Sequence, residues 1–284
     1  MLLSSYIMKI CDVFGIKETF SLFAKAGIQG VDFSSNIKEY CSIEHDKSFY
    51  IELGKYAKEE GLAICQAHAP FPSSDVDREK NEKRFAAIVQ GMRNSSYLGA
   101  PAIVVHPCKH LDFGDEANRE LLFEYNIDFY RRLIPYAEEL GIKIAIENLG
   151  SDSVTSTPEN LIRLYDELDN QVFTVCFDVG HSLLQGVDPA EAIGKIGKRL
   201  VNGYTHIHDN FGDTDAHMLP FYGKVDWENV MKALAVIGYN GDLNFEAGGF
   251  VRNLPRALCF TGLAYMSNVG HYLIERFEYY SNCK

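Results

Sequence analysis

Short apolar runs alternate with longer amphipathic stretches along the whole chain. The runs lack a polar face, which is typical of strands buried on both sides, and the longer stretches carry apolar residues at helical spacing. We predict strands at residues 6–10, 30–33, 62–66, 102–105, 142–146, 173–177, 201–207 and 243–245. We predict helices at residues 16–26, 44–60, 77–99, 116–140, 226–237 and 254 to about 277, and two more that begin at Thr157-Pro158 and Asp188-Pro189.

Eight strand–helix units follow one another without a linker or a low-complexity tract. They predict an α/β fold, a (β/α)8 TIM barrel that spans residues 1–284 as a single domain. The length of 284 residues is close to the roughly 250 typical of such barrels, and 46% hydrophobic residues suffice for a large core. A doubly wound open sheet is the structural alternative. The polar residues at the strand ends favour the barrel.

Every predicted strand from the third to the eighth is followed by a side chain that can bind a metal. These side chains are His68, His106, Glu147, Asp178, His208 and Glu246. In a TIM barrel the C-terminal ends of the strands open into one mouth, where active sites lie. Buried carboxylates gathered there would repel one another without a cation. The sequence therefore predicts a divalent metal site built from this set.

Further polar residues stand close to these strand ends. Asn148 follows the fifth strand, and His181 lies one turn into the loop after the sixth. His206 shares a strand face with His208, because alternate residues of a strand point to the same side. The following loop adds Asp213, Asp215 and His217, and Lys109, Lys224 and Arg252 are candidates to hold a substrate phosphate or carboxylate, with an ordinary surface charge as the default interpretation.

Charge and cysteine content narrow the classes of partner and compartment. The net charge is −12, and nucleic-acid binding normally needs a basic surface, so nucleic acid is disfavoured as a partner. The seven cysteines include no CxxC pair, which indicates buried free thiols and a cytoplasmic protein. No apolar run is long enough to span a membrane, and we interpret the N-terminus as a first strand, not a signal peptide.

Six motifs at the strand ends resemble the xylose-isomerase-like TIM-barrel superfamily. They are HAPFP (68–72), VVHP (104–107), AIEN (145–148), CFDVGHS (176–182), THIHDNFGDTDAH (205–217) and NFEAGG (244–249). That superfamily includes sugar phosphate isomerases and epimerases, and the metal-dependent apurinic endonucleases of the endonuclease-four type. The resemblance extends from the second strand to the last helix, and it is much more specific to the superfamily than to one substrate.

The resemblance to ketose 3-epimerases implies a metal-dependent reaction on a sugar, a sugar phosphate or a related polyol. It implies that Glu147, Asp178, His208 and Glu246 bind one Mn²⁺, Mg²⁺ or Co²⁺, with Zn²⁺ as an alternative, and that Glu147 and Glu246 form the acid–base pair. The expected substrate-binding residues are His68, His106, His181, Asn148, Asp215 and His217. One departure is that residues 150–153 lack the further glutamate that such epimerases place after the first ligand.

Two other activities remain open on the same barrel. Endonucleases of this superfamily hold three zinc ions with nine ligands, and this chain offers a match for each: His68, His106, Glu147, Asp178, His181, His208, Asp215, His217 and Glu246. Acidic loops around the predicted mouth count against DNA. A dehydratase is the other alternative, with His181 or His217 as the acid. By analogy, the outer helical face is a candidate surface for a homo-oligomer.

Overall fold

Eight parallel strands close into a barrel in the order β1 to β8. The computed structural model describes residues 1–36, 45–150 and 152–283, so Cys41 and the first residue of the predicted helix at 44–60 lie outside the described residues. The strands are β1 (Leu3–Tyr6), β2 (Gly30–Ser34), β3 (Ala63–His68), β4 (Ala102–Val105), β5 (Lys143–Glu147), β6 (Phe173–Asp178), β7 (Tyr204–Ile207) and β8 (Leu243–Phe245). The closed barrel confirms the predicted fold and excludes the open sheet.

Helices surround the barrel and connect successive strands. They are α1 (Met8–Phe14), α2 (Ile16–Ala26), α3 (Lys47–Glu59), α4 (Arg78–Leu98), α5 (Glu116–Leu140), α6 (Pro158–Leu168), α7 (Val179–Leu184), α8 (Pro189–Ile196), α9 (Trp227–Ile237), α10 (Gly248–Arg252) and α11 (Arg256–Asn282). The two proline starts are confirmed, because Thr157 and Asp188 each accept a hydrogen bond from a backbone N–H in the first turn.

The predicted first strand at residues 6–10 is wrong. The strand lies earlier, and the apolar residues Ile7 and Ile10 belong to the start of α1, where both are buried. A short apolar run does not distinguish a strand from a buried helical turn. The true strand was hidden by Ser4 and Ser5, whose buried hydroxyls donate to Asn244 and to the backbone oxygen of Phe245 on β8.

The main hydrophobic core lies between the barrel and the helices, whereas the barrel interior is partly polar. On one side Val104, Ala145 and Cys176 form a small apolar cluster. On the other, Asp32, Gln66, His206 and Asn244 are fully or almost fully buried and joined by hydrogen bonds. The usual barrel interior is filled by branched apolar side chains. The polar layer lies directly beneath the C-terminal mouth and supports the site described below.

Where the structure describes them, most cysteines are buried free thiols, as the sequence indicates. Cys11, Cys65, Cys108, Cys176 and Cys259 are buried and none is in a disulfide, while Cys283 is an exposed free thiol. Among the described residues, no helix has the length and the apolar character needed to cross a bilayer.

Candidate metal centre

Three buried carboxylates converge on one imidazole nitrogen at the floor of the mouth. His206 Nδ1 lies 3.0 Å from Glu147 Oε1, 3.5 Å from Glu246 Oε1 and 3.8 Å from Asp178 Oδ2. The fourth predicted ligand, His208, lies beside them, with Nε2 3.0 Å from Asp178 Oδ1. The structure therefore gathers the three predicted carboxylates around His206 and places His208 beside Asp178, although each of the four predicted ligands comes from the end of a different strand.

The hydrogen on His206 can be assigned from its neighbours. Gln66 Nε2 lies 2.8 Å from Asp32 Oδ2 and 2.8 Å from His206 Nε2. Asp32 fixes the orientation of this amide, because the opposite orientation would place two oxygens in contact. His206 Nε2 therefore accepts a hydrogen bond, and Nδ1 carries the hydrogen that is donated to Glu147. This N–H therefore bonds to Glu147, with Glu246 and Asp178 farther away on the same side of the ring.

The pKa values of these carboxyl groups reflect their imidazole neighbours. Burial alone would raise the pKa of Glu147, but His206 and His106 outweigh it and hold this pKa well below its usual range. Burial likewise opposes ionisation of Asp178, and His181 and His208 outweigh it, so the pKa of Asp178 is lowered. Both groups are therefore ionised at neutral pH, in the form that binds a cation.

Two histidines from neighbouring strands extend the centre on one side. His106 Nε2 lies 2.8 Å from Glu147 Oε2. His68 donates from Nδ1 to Asp32 over 2.9 Å, which leaves Nε2 directed at Glu246 Oε1, 3.3 Å away. A carboxylate behind a histidine in this way fixes its tautomer and is common behind metal-binding imidazoles.

The loop after β7 brings a further group to the other side. His181 Nε2 and His217 Nε2 lie 3.5 and 3.3 Å from Asp215 Oδ2, and the rings of His208 and His217 stack at 4.0 Å. Burial alone would lower the pKa of His217, but Asp215 and Glu246 raise it to about 9. The predicted residues Asp215 and His217 therefore join the site, although both lie well beyond the strand end.

Asp209 anchors this loop. Its carboxylate is fully buried and accepts hydrogen bonds from the backbone N–H groups of Asn210, Phe221 and Val225 and from the indole of Trp227, over 2.9 to 3.1 Å. A Cβ on Gly223 would lie 2.2 Å from the same carboxylate, so glycine is required there. Asp209 thereby fixes the two ends of the segment that carries Asp215 and His217.

Asn148 contacts the protein backbone instead of the cavity. Its amide group donates to the backbone oxygen of Asp178 over 2.8 Å and accepts from the backbone N–H of the same residue over 2.7 Å. Both hydrogen bonds hold the end of β6 against the end of β5. This geometry positions Asp178, and the contact of Asn148 with substrate stays a prediction.

A cavity of about 870 Å³ opens above the floor. Its polar lining includes His68, His106, Glu147, His181, Asp215, His217 and Glu246, whereas Asp178 and His208 lie beneath it. Phe71, Tyr222 and Phe250 form much of the apolar wall. Lys109 and Arg252 line the cavity as well, and Lys224 does not. The volume is near the upper end of the range for small-molecule sites.

The donor set fits a divalent cation. His208 Nδ1 is buried without a hydrogen-bond partner, and the buried Glu147 Oε2 faces His106 Nε2 at 2.8 Å. Four overlapping groups of donor atoms could each hold an ion: His68, His106 and Glu147; Glu147, Asp178 and His181; His181, His208, Asp215 and His217; and Asp32, His68, His206 and Glu246. Carboxylate oxygens with imidazoles suit Mn²⁺, Co²⁺ and Zn²⁺, and the carboxylates suit Mg²⁺.

Sequence reasoning missed Asp32 and Asp209 and left the role of His206 undecided. Asp32 lies inside a predicted strand, where an acidic residue between Val31 and Phe33 was the available signal. Charged residues are almost never fully buried without partners, so an acid in a buried strand indicates a polar interior. Its partners, however, lie on other strands and are not readable from one sequence.

The comparisons with known proteins place the chain in a family. A family model described as xylose isomerase-like TIM barrel matches residues 20–255. The uncharacterized protein y4fM of Sinorhizobium fredii is 31% identical over 254 residues, which cover 86% of this chain and 73% of the relative. The chain therefore belongs to the xylose isomerase-like TIM-barrel family.

Relatives with named activities match over less of the chain, and their names differ in chemistry. A D-psicose 3-epimerase of Enterocloster bolteae is 24% identical over 205 residues, 69% of this chain and 65% of the relative. A probable endonuclease 4 of Methanoculleus marisnigri is 32% identical over 140 residues, 47% of this chain and 48% of the relative. The crystal structure of a D-tagatose 3-epimerase-like protein superposes with a TM-score of 0.80 at 20% identity, covering 98% of this chain and 99% of the other, which shows the shared fold.

Proposed function

We propose that this protein is a divalent-metal-dependent isomerase or epimerase of a sugar, a sugar phosphate or a related polyol. One observation carries the proposal: Glu147 and Glu246 both line the cavity and both approach His206 Nδ1, at 3.0 and 3.5 Å, from strands three places apart around the barrel. Carboxylates on two sides of one bound molecule can remove a proton from one face and return it to the other. The relatives named as sugar epimerases support this choice.

Glu147, Asp178, His208 and Glu246 would hold one Mn²⁺, Mg²⁺ or Co²⁺, with Zn²⁺ also compatible. When bound, such an ion polarises the carbonyl and hydroxyl oxygens of a sugar and lowers the barrier to loss of the proton between them. One glutamate takes the proton from carbon. The other glutamate returns a proton to the opposite face of the same carbon in epimerisation, or one of the two returns it to the neighbouring carbon in isomerisation.

The side chains around the cavity would orient the substrate. His68, His106, His181, Asp215 and His217 all line it and present imidazole or carboxylate groups to sugar hydroxyls. His181 is held by its own contacts, since its Nδ1 lies 2.9 Å from the backbone oxygen of Asn148. A fixed imidazole loses little freedom when it binds a hydroxyl, which favours specific recognition.

The test is exchange of a carbon-bound proton with solvent. The protein is loaded in turn with each metal and incubated with ketohexoses and their phosphates in D2O, and deuterium incorporation is measured by mass spectrometry. We expect incorporation next to the carbonyl that requires metal and is lost in Glu147→Gln. Absence of incorporation with every sugar and every metal would contradict the proposal.

A second candidate function is cleavage of DNA at apurinic sites. It is favoured by the overlapping donor groups, because His68, His106, Asp215 and His217 lie close enough to the central carboxylates to hold additional ions. Elemental analysis separates the two candidates. About one equivalent of Mn, Mg or Co per chain supports the sugar enzyme. Two or three equivalents of zinc, together with nicking of an abasic duplex, would favour the endonuclease.

A further inference from the structure

Two basic side chains line the cavity on neighbouring short helices. Lys9 is on α1, just after β1, and Arg252 is the last residue of α10, just after β8. β1 and β8 are hydrogen-bonded neighbours where the barrel closes, so the two short helices that follow them leave the barrel side by side. Both side chains line the cavity.

Gly248 allows this approach. A Cβ at this position would lie 3.2 Å from Lys9 Cβ and 3.6 Å from Lys9 Cγ, so the lysine side chain packs against a helix that has no side chain at that point. Arg252 lies four residues after Gly248 on the same helix and therefore on the same face, with Cβ positions about 5–6 Å apart. Lys9 and Arg252 thus reach the rim about one helical turn from each other.

These two charges lack an acidic partner in the part of the chain that the structure describes, where neither side chain has an ion pair or a hydrogen bond to another residue. The contrast with nearby cations is clear. Arg256, the next basic residue, forms an ion pair with Glu18. Lys109, which also lines the cavity, is attracted electrostatically by Asp152. In a chain of net charge −12, adjacent unpaired cations in a cavity repel each other until an anion lies between them.

We infer that the substrate carries an anionic group, a phosphate ester or a carboxylate, which Lys9 and Arg252 bind while the sugar carbonyl lies at the metal centre. This inference rests on the proposed function. Arginine binds phosphate and carboxylate with two parallel hydrogen bonds, and lysine adds a point charge. In TIM barrels, loops after the last strands commonly bind phosphate. The cavity of about 870 Å³ has room for a sugar and its anionic group together.

The experiment compares three sugars that differ at one carbon: D-fructose, D-fructose 6-phosphate and D-fructuronate. Metal-loaded wild-type protein, Lys9→Met and Arg252→Met are compared, with Lys224→Met as the control. Lys224 is an exposed lysine that does not line the cavity, and its change removes the same charge. Deuterium incorporation gives kcat and KM for each sugar, and calorimetry gives Kd independently of turnover. Circular dichroism verifies that each variant is folded.

We expect one or both anionic sugars to bind at least about tenfold more tightly than D-fructose, and the preferred anion separates phosphate from carboxylate. Lys9→Met and Arg252→Met should each raise KM for the anionic sugars more than for D-fructose, and each should weaken the salt dependence of KM, because one of the two cations remains. Lys224→Met should change KM less than twofold. Equal binding of the three sugars, or equal losses in all three variants, would overturn the inference.

The outcomes also separate this inference from the proposed function. Deuterium exchange with D-fructose and no preference for the anionic sugars would leave the reaction standing and remove the anion site. Tight binding of D-fructose 6-phosphate that depends on Lys9 and Arg252, without exchange of any proton, would retain the anion site and remove the proposed reaction. If none of the three sugars binds and none exchanges a proton, the result would count against the anion site and the proposed reaction alike.

Discussion

Replacing Asp209 by asparagine should release the loop that carries Asp215 and His217. The carboxylate accepts two hydrogen bonds at each oxygen, from Asn210 and Val225 at Oδ1 and from Phe221 and Trp227 at Oδ2. An asparagine keeps one oxygen and turns an NH2 group toward two donors. Either amide orientation therefore loses two of the four hydrogen bonds.

The size of the effect follows from that count. A hydrogen bond to a charged group contributes about 1.5–3 kcal/mol, so the loss of two destabilises the closed loop by about 3–6 kcal/mol. The backbone pairing between Asp209 and Met218 remains and limits the loss to the loop. The barrel itself should stay folded, because its core lies between the strands and the helices.

Trp227 makes the test direct, because it is the one tryptophan in the sequence and its indole N–H donates to Asp209. We expect Asp209→Asn to shift its emission to the red. We also expect an earlier urea transition by fluorescence than by far-UV circular dichroism, which would show that the loop unfolds before the barrel. Asp213→Asn is the matched control, an exposed acid in the same loop that should change stability by less than about 0.5 kcal/mol. Coincident transitions near the wild-type midpoint in Asp209→Asn would refute the reasoning.

Three further outcomes follow from the geometry of the floor. Glu147→Gln and Glu246→Gln should each reduce proton exchange at least about a hundredfold with the fold retained, and more than about a tenth of wild-type activity in either variant would exclude its acid–base role. Asp178→Ala should mainly lower metal affinity, and unchanged metal content by elemental analysis would remove Asp178 from the ligands. The folded-state pKa of His217 is raised to about 9, so protonated His217 should stabilise the metal-free protein fully below about pH 6.5, and this stabilisation should be lost as the pH rises through 9. A urea midpoint that does not depend on pH over this range would contradict the prediction.

The strand ends were predictable because the barrel repeats one simple geometry. Each buried strand ends at the same mouth, so a polar residue after a buried run has a defined location even before its neighbours are known. His68, Glu147 and Asp178 are the last residues of their strands in the structure. The predicted bounds of β4, β8 and α5 are also correct.

The polar layer and the loop anchor were not predictable, because each depends on contacts between distant segments. Asp32 on β2 accepts a hydrogen bond from Asn244 on β8, and its other partners lie on β3. Asp209 holds Trp227 across eighteen residues. Local sequence patterns predict which helices and strands form. Side chains that hydrogen-bond to one another across the barrel can be paired only once the register of the strands is known.

The buried acids of this mouth fall into two kinds, and the difference indicates which of them would bind a cation. Asp32 accepts hydrogen bonds from Gln66, His68 and Asn244, and Asp209 accepts four, so both charges are compensated by fixed donors. Glu147, Asp178 and Glu246 instead face imidazoles: His206 and His106 lie beside Glu147, His208 beside Asp178 and His68 beside Glu246. Imidazoles are metal ligands in their neutral form and release their proton when a cation binds, whereas amide and backbone donors cannot, so the second arrangement is the one suited to a cation. At the rim, Lys9 and Arg252 have no acidic partner among the described residues, so the proposed ligand there is an anion.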